Sequence, residues 1–139
     1  MQKNHPTQSA LSQILFRLAL YIPFVVVCSV IYRLSSMSHP PIPIFMKFSN
    51  GDKILHMAAF FIVGFTAVLP LAFTKRFLGF SLALRALALA AMYAAADEIH
   101  QAYVPMRQSS YLDFVADIVG AILGIFVFWL LVTTKIRRR

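Results

Sequence analysis

Four apolar runs, each roughly twenty residues long, decide what this chain can fold into: about 14–32, 53–73, 82–103 and 111–134. At about 1.5 Å per residue, a helix of that length crosses a hydrocarbon core of about 30 Å. A backbone in lipid must satisfy its own N–H and C=O groups, which a helix does within one segment. The expected fold is therefore all-α, a polytopic membrane protein built as a bundle of four transmembrane helices with an outward-facing polar cluster. At 60% hydrophobic and 13% charged, the chain is too apolar and too segmented for an ordinary soluble domain. The expected layout is a flexible cytoplasmic tail over 1–13, a membrane domain over 14–134 and a basic cytoplasmic tail over 135–139.

The formal charge of +8 does not point to nucleic acid. Its basic residues sit in short flanks between apolar runs and not on one face with interleaved aromatics. Lys3, Arg17, Lys75, Arg76, Arg85 and the C-terminal Lys135, Arg137, Arg138 and Arg139 fall on one set of flanks. Arg33, Lys47, Lys53 and Arg107 fall on the other. The positive-inside rule then places both termini in the cytoplasm and the turn from Pro105 to Ser110 outside. The first run carries Pro23 and could be a cleaved signal peptide, but no small-x-small cleavage site follows, so an uncleaved anchor is expected. The single cysteine, Cys28, excludes an internal disulfide and a thiolate metal site. Pro40, Pro41 and Pro43 end the helical pattern, and the apolar residues Ile42 to Phe48 read as a passive connector or a flap over the polar cluster.

All the acid in the chain stands at the ends of these runs. Asp97, Glu98, Asp113 and Asp117 lie within 94–117, and Asp52 opens the second run. With four spans and the orientation above, Asp52, Lys53, His56, Asp97, Glu98, His100, Gln101, Arg107, Asp113 and Asp117 reach one membrane level. Asp52 and His56 share a helix face, so the carboxylate could fix the imidazole tautomer. Asp97 shares a face with His100 and Gln101, and acids near a helix C-terminus oppose its dipole unless they find partners. Arg107, the only cation between the third and fourth runs, suits a phosphate or carboxylate, or else pairs with Asp113 or Glu98. Ala86, Ala90 and Ala94 make a smooth face on the third run, and Gly120 and Gly124 make a groove on the fourth. These two faces are expected to pack together. Trp129 and the many Phe and Leu residues read as packing or lipid-facing positions.

Taken together, GDKILH at 51–56, DEIHQAYVPMR at 97–107, DFVADIVGAILG at 113–124 and the serines of YRLSSMS resemble the VanZ-like family of small bacterial membrane proteins. The family commonly shows Asn where this chain has Asp117. The resemblance implies a multi-helix protein of the bacterial inner membrane, some relatives being linked to lower susceptibility to the glycopeptide teicoplanin. It implies no established reaction or substrate. The expectation drawn from it is a pocket that binds or modifies an anionic cell-envelope component, a lipid-linked precursor or a phospholipid headgroup. In an enzyme of that kind Asp52, His56, Asp97, Glu98 and Asp113 would be the catalytic set, with His56 or Glu98 as general base. Lys53, Gln101, Arg107 and Asp117 would hold the ligand, and a divalent cation could be bound. The alternative is a non-catalytic protein whose polar cluster locks the helices or supports a partner or the passage of a solute.

Overall fold

The computed structural model describes residues 10–41, 50–74 and 79–137. The 42–48 stretch read as a connector or flap lies outside the described residues, as do residues 1–9 of the tail. Five helices follow one another: α1 (Ala10–Ala19), α2 (Ile22–Ser35), α3 (Gly51–Thr74), α4 (Phe80–Ala102) and α5 (Tyr111–Arg137). The first span is made by α1 and α2 together. Pro23 stands in the first turn of α2 and has no N–H to give the preceding turn, so the helix breaks at Leu20 and Tyr21. The chain is a multi-pass membrane protein, with four stretches long and apolar enough to cross: Ala10–Ser35, Gly51–Ala72, Phe80–Ala102 and Tyr111–Thr134. Helix starts well ahead of 14, so residues 10–13 belong to α1.

Large apolar side chains cover the outside of the bundle, among them Val26, Ile62, Met92, Ile122 and Phe126. That surface suits lipid. Inside, one layer joins Ile31, Phe60, Val63, Ala90, Ala94 and Ala121, and a second joins Ala67, Val68, Leu82, Ala86, Ile125 and Phe128. Ala86, Ala90 and Ala94 are fully buried, so the alanine face of α4 does turn inward. Tyr93 fastens α4 to α2, stacking on Phe60 at 5.8 Å and donating its hydroxyl hydrogen to the Cys28 carbonyl.

The closest helix contact is not the expected one. Gly120 and Gly124 press against the backbone of α3, where an added Cβ would collide with the Met57 and Phe61 carbonyls. Gly64 answers from α3, its face pressed on the backbone of Ala121. The groove of α5 therefore seats α3 and not the alanines of α4. The reason is steric: a glycine on each helix lets backbones touch, whereas the alanine methyls of α4 hold its neighbours one carbon further away.

Candidate functional site

The end of α2, the start of α3, the end of α4 and the start of α5 meet at one end of the bundle. There Asp97, Glu98, Gln101, Asp113 and Asp117 are buried, Asp117 completely. Charges in such a place are costly unless cations, protons or hydrogen-bond donors stand between them. The structure supplies these in three groups.

The first group joins α2 to α4. Asp97 accepts hydrogen bonds on one oxygen from the Ser35 hydroxyl at 3.0 Å and from the Gln101 amide at 2.8 Å, and that amide also reaches the Ser35 oxygen at 3.3 Å. The second joins α3 to α5, where the Lys53 ammonium donates to Asp113 at 2.8 Å and to the exposed Asp52 at 3.2 Å. The third draws on α3, α4 and α5. His56 Nδ1 lies 3.0 Å from Asp117 Oδ1 and 4.0 Å from Glu98 Oε1. Glu98 is further tied to the start of α5 by the Ser110 N–H, at 2.8 Å.

The His56 pairing corrects the local reading. The carboxylate that meets the imidazole is Asp117, sixty-one positions away, and not Asp52. Asp52 sits in the first turn of α3 with a side chain 54% exposed, where water and Lys53 satisfy it better than a half-buried ring could. His100 also leaves the cluster: it bonds the Ser36 hydroxyl at 2.9 Å and packs beside Tyr32.

Arg107 takes neither of the partners considered for it. Among the described residues it forms no ion pair, and its Nε is buried without a hydrogen-bond partner. The turn that presents it runs from Val104 to Arg107, closed by the Arg107 N–H on the Val104 carbonyl at 3.2 Å. Pro105 stands second and Met106 third with φ 66°, the pattern of a type II turn. Three carboxylate oxygens are likewise buried without partners: Asp97 Oδ1, Glu98 Oε1 and Asp117 Oδ2.

A cavity of about 340 Å³ adjoins the cluster between α2 and α3. Ser35, Asp52, His56, Asp97 and Arg107 line one end of it, while Ile31, Leu55, Ala59 and Ile62 line its length. A polar end on an apolar trough matches the shape of an amphiphile. A second groove of about 410 Å³, between α4 and α5, is walled by residues such as Leu87, Ile125 and Phe126. Though larger, it has no polar cluster to orient a ligand, so we take the first cavity as the site.

Two serines matter here to which sequence reasoning gave no role, although Ser35 is one of the serines of YRLSSMS. Ser35 is the buried donor to Asp97. Ser110 caps α5, its hydroxyl accepting the Leu112 N–H at 3.2 Å while its own N–H serves Glu98. A serine just ahead of an apolar run is a helix-start signal, so Ser110 could have been found; Ser35 carries no such mark.

No curated protein and no solved structure matches the chain. The family model described as VanZ/LLP1 matches residues 1–132, nearly the whole chain and all three polar groups. The chain belongs to the VanZ/LLP1 family.

Proposed function

We propose that this polar cavity binds the anionic headgroup of a cell-envelope amphiphile, a phospholipid or a lipid-linked precursor, with the apolar part lying along the α2–α3 trough. The observation that carries this reading is Arg107, on the cavity wall with a buried and unpartnered Nε. A guanidinium that lines the cavity with Asp97 and forms no ion pair among the described residues is open to another ligand, and its planar fork fits phosphate oxygens. An unpaired buried donor is costly in the free protein, and a ligand that satisfies it recovers that cost.

The test is competition between phosphatidylglycerol and phosphatidylcholine for detergent-purified protein, read by native mass spectrometry. Phosphatidylglycerol should be retained preferentially, and Arg107→Gln should weaken it by about 10-fold to 100-fold, the worth of a charged hydrogen bond. Equal retention of the two lipids, or indifference to the substitution, would overturn the reading.

A second role is supported by the bonds that are already satisfied. Ser35, Asp97 and Gln101 tie α2 to α4, and Lys53 with Asp113 ties α3 to α5. We read these as the lock that holds the cavity walls. The partnerless atoms are the ones left to meet a ligand.

A further inference from the structure

The headgroup reading leaves a charge problem. Asp97, Glu98, Asp113 and Asp117 are buried around a site proposed for an anion, and Lys53 is already engaged by Asp113. An anionic ligand at this place needs more positive charge than Lys53 and Arg107 supply.

We propose that His56, Glu98 and Asp117 form a binding site for one divalent transition-class cation, Zn2+ or Mn2+. One ligand atom from each of these three residues lies within 4.8 Å of the others. His56 Nδ1 faces both acids, at 3.0 Å from Asp117 and 4.0 Å from Glu98. Ligands bound about 2.1 Å from one ion are themselves roughly 3.0–3.4 Å apart, so the first spacing already fits and the second closes by a small side-chain shift. Asp117 and Glu98 each carry a buried oxygen without a hydrogen-bond partner, Oδ2 and Oε1. Asp117 is fully buried and Glu98 is 9% exposed, so water cannot freely supply what is missing.

The ligand types select the ion. One imidazole with two carboxylates suits Zn2+, Mn2+ and their neighbours, whereas Mg2+ and Ca2+ prefer oxygen alone. Three protein ligands leave at least one coordination position open. The ion takes the place of the hydrogen bond between His56 Nδ1 and Asp117, and a neutral imidazole bound through Nδ1 carries its proton on Nε2. His56 lines the cavity that Arg107 also lines, which puts the open position within reach of the same ligand. The cation site stands on this geometry alone; its service as counter-charge for a headgroup rests on the reading given above.

Tag-free protein is stripped with a chelator in detergent, exchanged into Zn2+ or Mn2+, and its metal content measured by mass spectrometry. One ion per chain is expected. Asp117→Asn and Glu98→Gln should each lower the affinity at least 10-fold, while His100→Gln keeps it. Both acid-to-amide changes preserve shape and keep one acceptor oxygen; should one fail to fold, judged by melting, the other decides. Wild-type protein that takes up neither ion, or variants that hold it as tightly, would overturn the site. Phosphatidylglycerol retention is then measured with and without Zn2+. Ion binding at one per chain with lipid retention unchanged by Zn2+ removes the counter-charge role and leaves the cation site standing; ion binding with lipid retention indifferent to Arg107→Gln sinks the headgroup reading alone, and Arg107-dependent lipid retention without ion uptake sinks the cation site alone.

Discussion

Met106 is held at φ 66°, a backbone region that glycine enters freely and β-branched residues almost never do. Its side chain is largely exposed, so nothing it touches explains the conformation. The conformation follows from the turn, which places Arg107 on the cavity wall. Met106→Val should therefore lower stability by about 1–2 kcal/mol, while Met106→Gly should be neutral or better, as read by melting in detergent. A valine variant as stable as wild type would show that the turn is not strained. Single residues were also where sequence reasoning was weakest. Helical spacing correctly placed Asp52 and His56 one turn apart, but spacing knows nothing of exposure or of other helices. An exposed acid beside Lys53 has little to gain from the ring, whereas a fully buried Asp117 has much.

The helices themselves were legible because lipid imposes length. The fourth apolar run was read as 111–134 and the fourth span is Tyr111–Thr134. Helix partners were not legible, because two small-residue faces on α4 and α5 look complementary on paper. What decides is how near two backbones can come, and Gly64 in the middle of α3 gives that helix the advantage. Gly120→Leu should force α3 and α5 apart and lower stability by about 1–3 kcal/mol or more, seen as a fall in Tm in detergent. An unchanged Tm for the leucine variant would contradict the backbone contact described here.

For the molecule as a whole, the flanking cations give a prediction for the side of the membrane on which the cavity opens. By the positive-inside rule, the uneven spread of Lys and Arg predicts both termini in the cytoplasm and the cavity on the outer face. Cysteine placed at the exposed Ser109, after Cys28→Ser, should react with a membrane-impermeant reagent in intact cells. Protection until the cells are opened would invert the topology. The glycine contact between α3 and α5 has a consequence at this scale too. These two helices run the same way, and the pairs Lys53–Asp113 and His56–Asp117 lie just beyond Met57–Gly120 and Phe61–Gly124 along them. A carbonyl seated in a glycine notch is a key in a keyway: one residue of slip moves a helix by about 1.5 Å, enough to pull a hydrogen-bonded pair out of range. The glycines thus set the gauge of a site they never touch, and the Gly120→Leu protein that melts early should also fail to hold its ion at wild-type affinity.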